Sequence, residues 1–245
     1  MNQENVILKV ENLDVHYRDL QALHNVSLSV QKGSIVSIIG ANGAGKTTLL
    51  GTITGINKPT KGKIIFNNEE IGGKQINKIV AKGITLSPEG SRVFEKLTVL
   101  ENLLLGSYLP RARKKKDESL QKALELFPML KEKLKQPATF LSGGQRQMLS
   151  IARALMTDPQ IVLCDEISLG LAPIIIKGVY EKIKEINGEG MTFVLVEQDV
   201  RRSLRYSDYS YVMVKGKIVM EGPSSDLLSV ESDVNDAYFG VDKYA

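Results

Sequence analysis

The sequence has 245 residues, which at about 150 residues per domain makes one large domain or one domain with a substantial insertion. With 42% hydrophobic and 24% charged residues it has the composition of a globular chain, excluding a disordered polypeptide and one embedded in a bilayer. The 32 basic and 28 acidic residues leave a net charge of +4, short of the basic footprint of a dedicated nucleic-acid binder, so no nucleic-acid partner is expected.

A single cysteine, Cys164, excludes an internal disulfide and fits a reducing compartment. The two histidines, His16 and His24, cannot join a cysteine cluster in a structural zinc site. Met1 to Val10 carries Glu4 and Lys9 and lacks the basic, apolar, small-residue order of a secretory leader, so the cytosol is the expected compartment. No run approaches the roughly 18 apolar residues needed to cross a bilayer, so membrane contact is expected through a partner or a surface.

In chain order, Ile7 to Val10, Leu13 to Tyr17 and Val26 to Val30 read as short β-rich runs. Ile35 to Ile39 reads as a buried strand that enters a glycine-rich loop and then a helix from Lys46 to Thr54, stopped by Gly55. Gly62 to Phe66 and Ile84 to Leu86 predict further strands, and Pro88, Glu89 and Gly90 break the pattern. From Val99 to Met156 helical spacing dominates: Leu120, Ala123, Leu124 and Phe127 fall at i, i+3, i+4 and i+7, punctuated by Pro110, Pro128 and Pro137. This predicts a helical insertion over 90–156 between the early strands and a later αβ alternation. That alternation is a strand at Ile161 to Cys164, a helix at Ile174 to Ile186, a strand at Thr192 to Val196 and a helix at Val200 to Tyr206. The expected class is therefore α/β with a mainly parallel sheet, closed by a hairpin whose strands, Val212 to Val214 and Ile218 to Met220, flank Lys215, Gly216 and Lys217.

Gly40, Ala41, Asn42, Gly43, Ala44, Gly45, Lys46 and Thr47 spell G-x-x-x-x-G-K-T between a strand and a helix. Glycines there let successive backbone N–H groups face phosphate oxygens, the helix N-terminus adds partial positive charge, and Lys46 reaches toward the β- and γ-phosphates of ATP. Thr47 offers a hydroxyl to Mg²⁺, and Thr48 follows it in the same nucleotide-contacting set. Ile161 to Cys164 delivers Asp165 and Glu166 at the carboxyl end of a strand, the edge where parallel sheets bind ligands. Asp165 is placed in the Mg²⁺ shell and Glu166 as the base that polarises the attacking water. The plain alternatives are a chance glycine-rich turn and a strand end with two solvated acids. Cys164 reads as a small core residue.

Leu141, Ser142, Gly143, Gly144 and Gln145 open an apolar-periodic helix in which Met148, Ala152 and Leu155 share a face. This L-S-G-G-Q run, on a chain that also carries the phosphate loop, resembles the signature of ABC ATPases over nearly the whole length. The resemblance implies a P-loop NTPase of ABC type with an N-terminal antiparallel β subdomain. The nucleotide-binding core would comprise 1–89 and 157–245, and a helical subdomain over 90–156 would carry the signature. It implies two subunits head to tail, with Ser142, Gly143, Gly144 and Gln145 closing on the ATP bound to the partner. Tyr17 matches the aromatic that stacks on adenine, the alternative being a core aromatic on a strand.

Three positions depart from the commonest family pattern. Glu89, in Pro88–Glu89–Gly90, stands where most members place the glutamine that senses Mg²⁺; Gln198, in Val196–Glu197–Gln198, stands for the switch histidine; and the loop Ser168–Leu169–Gly170–Leu171–Ala172–Pro173 lacks its usual aspartate. Ile167 also replaces a common proline. P-E-G, S-L-G-L-A-P and L-V-E-Q together are similar to the ATP-binding subunits of branched-chain amino acid importers. That similarity implies two membrane permease subunits, an extracytoplasmic solute receptor acting indirectly, and a second ATP-binding subunit. A heterodimer is favoured over a homodimer, held peripherally on the inner face of the cell membrane. A nucleotide-dependent regulatory clamp with little turnover, and an importer of another amino acid or amide, are the alternatives.

Among the remaining features, Arg111, Arg113, Lys114, Lys115 and Lys116 read as a solvated helix entrance, the alternative being a nucleic-acid or lipid contact. Tyr206, Tyr209 and Tyr211 read as packing. Leu97, Val99, Leu100, Leu103 and Leu104 read mainly as core, near the groove where the family seats its membrane subunit.

Overall fold

The computed structural model describes residues 5–239, so Met1 to Glu4 of the segment read for a leader lie outside the described residues. The chain runs β1 (Val6–Tyr17), β2 (Leu20–Gln31), β3 (Ile35–Ile39), α1 (Lys46–Ile53), β4 (Lys61–Phe66), β5 (Glu69–Glu70), α2 (Ile76–Lys82) and β6 (Ile84–Ser87). Five helices follow: α3 (Val99–Gly106), α4 (Pro110–Lys114), α5 (Lys116–Leu126), α6 (Pro128–Lys131) and α7 (Gly143–Leu155). The chain then alternates through β7 (Ile161–Asp165), α8 (Pro173–Gly188), β8 (Thr192–Glu197), α9 (Val200–Tyr206), β9 (Tyr209–Val214) and β10 (Lys217–Pro223), with α10 (Ser224–Ser229) and α11 (Glu231–Phe239) after them.

Two sheets result. The first, ordered β2-β1-β4-β5, is antiparallel, and the second, ordered β10-β9-β3-β8-β7-β6, is parallel except for its β9–β10 hairpin. The runs expected as separate strands at Ile7 to Val10 and Leu13 to Tyr17 are one strand. The register with β2 shifts between Val10 and Leu13, and the polar interruption is a bulge with Asn12 at φ 47°. Asparagine enters that left-handed region at low cost, so the ladder bends there instead of ending. β5 and α2 escape the sequence reading because two glutamates and a single buried apolar residue, Ile79, leave no periodic signal.

Every residue of β3, β7 and β8 is buried, as both faces of a covered parallel sheet require. Their side chains alternate between two cores. Val36, Ile38, Ile161, Leu163, Val194 and Val196 pack toward the antiparallel sheet and α1. Ile35, Val162, Cys164, Phe193 and Leu195 pack with residues of α3, α5, α7 and α8, where Leu120, Ala123, Leu124 and Phe127 also gather. Each such aliphatic side chain contributes about 1.5–3 kcal/mol through burial.

The prolines read as punctuation start helices: Pro110 and Pro128 occupy the first turns of α4 and α6, and Pro137 precedes the short 3-10 turn Ala138–Phe140. One expectation needs correction. Arg111 is not part of a solvated run: its guanidinium donates to the carbonyls of Val80 (3.0 Å), Ala81 and Thr157 (3.3 Å), fastening α4 to the C-terminal end of α2. Arg113, Lys114 and Lys115 remain exposed. The tyrosines form two packing pairs, Tyr180 with Tyr206 and Tyr209 with Tyr211. Tyr211 also joins the sheets: the Ser29 N–H donates to its oxygen at 2.9 Å and its hydroxyl donates to the Ser29 carbonyl at 3.1 Å.

Candidate functional site

β3 delivers the chain into the glycine-rich loop, and Gly45 caps α1 with φ 104°. A Cβ at Gly45 would stand 2.9 Å from the Leu23 side chain, so both conformation and space demand glycine. Lys46, first in α1, is buried, and its ammonium donates to the carbonyls of Gly40 at 2.7 Å and Ala41 at 3.0 Å. It also pairs with a Glu166 carboxylate oxygen at 3.2 Å. The tip of the β9–β10 hairpin braces this loop from behind, because the Gly216 N–H donates to the Ala44 carbonyl and the His24 N–H donates to the Gly216 carbonyl, both at 2.9 Å.

A cleft of about 540 Å³ opens here, bringing together Asn42, Gly43, Gly45, Lys46, Thr47, Thr48, Glu89, Glu166 and Gln198. Gln21, Ala22, Lys215 and Gly216 line it too, and the sequence reading missed all four. The turn Lys215–Gly216–Lys217 was visible as a hairpin, but no local pattern says that it reaches residues some 170 positions earlier in the chain.

Asp165 and Glu166 stand at the carboxyl end of β7, both buried. Burial pushes the Asp165 carboxyl above the usual carboxylate range; the negative charges of Glu166 and Glu89 add to this, while the Thr47 hydroxyl and the Lys46 charge oppose it. The Thr47 hydroxyl points at Asp165 Oδ1 across 3.5 Å. A buried carboxylate converging with a hydroxyl is a hard-oxygen set suited to Mg²⁺. Among the described residues no three His, Cys, Asp or Glu side chains form a metal cage. That combination fits an ion held largely by water and substrate phosphates. Glu166 adopts φ 45°, a strained value for a non-glycine residue, and its N–H donates to the Val196 carbonyl at 2.9 Å. The Gln198 amide donates to Glu166 Oε2 at 2.5 Å, so the carboxylate is held between an amide and an ammonium.

Tyr17 ends β1 with 46% of its surface exposed, and its hydroxyl donates to Thr48 Oγ1 at 3.4 Å; it is not a core aromatic. Ser142 caps α7: its hydroxyl accepts from the Gln145 N–H at 3.3 Å, and the Gln145 side-chain oxygen accepts from the Ser142 N–H at 3.0 Å. A Cβ on Gly144 would fall 2.2 Å from Ile175 Cγ2, so glycine lets the start of α8 lie directly on the start of α7. Among the described residues, none of Ser142, Gly143, Gly144 and Gln145 lines the cleft at the phosphate loop.

Residues 23–168 match the family model described as ABC transporter, and the chain belongs to that family. It is an ATP-binding cassette, an ATPase whose fold is the α/β P-loop arrangement with the added antiparallel sheet. The chain is 46% identical over 236 residues, 96% of its length and 100% of the relative, to the high-affinity branched-chain amino acid transport ATP-binding protein BraG of Pseudomonas aeruginosa. Among solved structures, the ADP conformation of an ATP-binding cassette of an ABC transporter matches with a TM-score of 0.84 at 33% identity, covering 96% of this chain and 99% of that one. A dimeric bacterial ABC transporter cassette matches with a TM-score of 0.76 at 27% identity, covering 89% and 99%.

Proposed function

We propose that this chain is the ATP-hydrolysing subunit of an importer of branched-chain amino acids, with residues 90–156 as its helical subdomain and 1–89 and 157–245 as its nucleotide-binding core. The observation that carries the catalytic reading is the Glu166 carboxylate at the phosphate loop, held by Gln198 and beside Lys46. The similarity to BraG over the full length supports the substrate class.

In this reading the triphosphate takes over the Lys46 ammonium, which now spends its hydrogen bonds on the Gly40 and Ala41 carbonyls and on Glu166. Phosphate oxygens meet the loop N–H groups and the start of α1, and Tyr17, beside Thr48, supplies the face for adenine. Released from Lys46, Glu166 accepts the proton of the attacking water while Gln198 holds its second oxygen. Gln198 cannot become cationic as histidine can, but it still donates and accepts hydrogen bonds. Thr47 and Asp165, with Glu89 nearby, would hold Mg²⁺, which when bound would neutralise charge on the triphosphate.

Ser142, Gly143, Gly144 and Gln145 close on the nucleotide of a second ATP-binding subunit, as a heterodimer in preference to a homodimer. ATP bridging both halves shifts the population toward the closed pair. A cleft of about 490 Å³ between α2, α3 and α7 presents exposed Ile56, Ile76, Phe94, Leu105 and Tyr108, an apolar seat suited to a permease subunit. No helix among the described residues is long and apolar enough to cross a membrane, so this seat would hold the chain peripherally on the inner membrane face. An extracytoplasmic receptor would act through the permease.

Uptake of labelled leucine, isoleucine and valine in cells lacking this chain tests the reading. Uptake is expected to fail, and to return with the wild-type chain but not with Glu166→Gln. Normal uptake of all three, with loss of another amino acid or amide, would overturn the substrate class.

A further inference from the structure

Glu197 ends β8, one residue before Gln198, and is only 2% exposed. Isolated carboxylates are costly to bury, and an apolar residue would serve a sheet interior better. Its Oε2 accepts a hydrogen bond from the Ser168 hydroxyl at 2.7 Å. Its other oxygen, Oε1, and the Tyr180 hydroxyl are buried without a well-formed hydrogen bond, although each lies within electrostatic reach of the other. The Arg202 guanidinium stands over the Tyr180 ring, 6.0 Å from its centre, and offsets part of the charge. The Glu197 carbonyl meanwhile accepts from the Gly40 N–H at 3.2 Å, so one residue contacts the phosphate loop through its backbone and residue 168 through its side chain.

Ser168 lies two residues after Glu166, in the stretch 167–172 that leads to α8. At the far end of that stretch Leu171 lies against Gly143, and just beyond it Ile175 in α8 lies against Gly144. Among the described residues, the Ser168–Glu197 bond is the one side-chain hydrogen bond made by residues 167–172. We propose that Glu197 is a positioning residue which, through Ser168, fixes the loop joining Glu166 to the signature turn of the same chain, so that both move as one unit when two subunits close. This rests on the reading of Glu166 as the base.

The test uses the full chain with Ser168→Ala, Ser168→Thr and Glu197→Gln, and compares hydrogen exchange of residues 167–172 with steady-state ATP hydrolysis. Losing one hydrogen bond to a charged acceptor sets the scale at about tenfold. Ser168→Ala is expected to speed loop exchange, to lower kcat by about tenfold with KM within about twofold, and to lower the melting temperature by a few degrees, since a buried carboxylate oxygen loses its donor. Ser168→Thr is expected to restore both readouts, and Glu197→Gln, whose amide oxygen still accepts from Ser168, to stay close to wild type. Wild-type kcat or unchanged loop exchange in Ser168→Ala overturns the proposal, as does a Glu197→Gln protein as slow as Ser168→Ala. If Glu166→Gln hydrolyses ATP at the wild-type rate, the function reading fails instead, while loop exchange still decides the anchor.

Discussion

Lys46 is saturated before any phosphate arrives, with two carbonyls and one carboxylate around a single buried ammonium. Removing it leaves those acceptors without their donor and the triphosphate without its main counter-charge, so Lys46→Ala is expected to abolish tight ATP binding, measured by titration calorimetry. Glu166→Gln keeps the shape of the site and loses the proposed base; binding is expected to persist while phosphate release slows by about 10²-fold or more. These residues were legible because the spacing of the phosphate loop and the paired acids at a strand end are local patterns. Arg111, Lys215 and Glu197 were not, because Val80 for Arg111, Ser168 for Glu197 and the phosphate loop for Lys215 lie 29 or more positions away and no short-range spacing encodes them.

At the scale of elements, the junction of α7 with α8 is the tightest approach near the signature. A methyl group on Gly144 would meet Ile175 at 2.2 Å, so Gly144→Ala must push the two helix starts apart. Overpacking of this kind costs about 1–3 kcal/mol. The melting temperature is expected to fall and hydrolysis to drop, while binding of nucleotide to the isolated subunit stays near wild type because the phosphate loop is untouched. Helices and central strands were largely readable from periodicity: α9 begins and ends where its spacing predicts, and α8 and β8 differ from expectation by a residue or two. β5, α2, α10 and α11 were not, since short pieces with few buried side chains take their structure from what they pack against.

For the whole molecule, the buried acid of β8 ties stability to pH. Burial raises the Glu197 carboxyl above its ordinary 4.5, against the opposing hydrogen bond of Ser168, the nearby Tyr180 hydroxyl and the charge of Arg202. The folded protein therefore keeps this proton to higher pH than the unfolded chain. The resulting stabilisation is complete below 4.5 and is lost as pH rises through the folded value. Glu197→Gln is expected to remove that component, so the difference in melting temperature between variant and wild type should shift in favour of the variant from pH 4 toward neutrality. Fold class was visible in the sequence because alternating strands and helices imply a parallel sheet. The order β10-β9-β3-β8-β7-β6 was not, since pairing partners in such a sheet are chosen by non-local contacts.

The hairpin tip behind the phosphate loop carries a consequence for biosynthesis. β3 pairs only with β8 and β9 within its sheet, and Ala44 finds its backbone donor at Gly216. A chain leaving the ribosome therefore displays its apolar central strand unpaired until most of the polypeptide has been made. The pocket matures only when the last sixth of the chain arrives, which makes early nascent fragments clients for chaperones and gives ATP no finished cradle on a half-made protein.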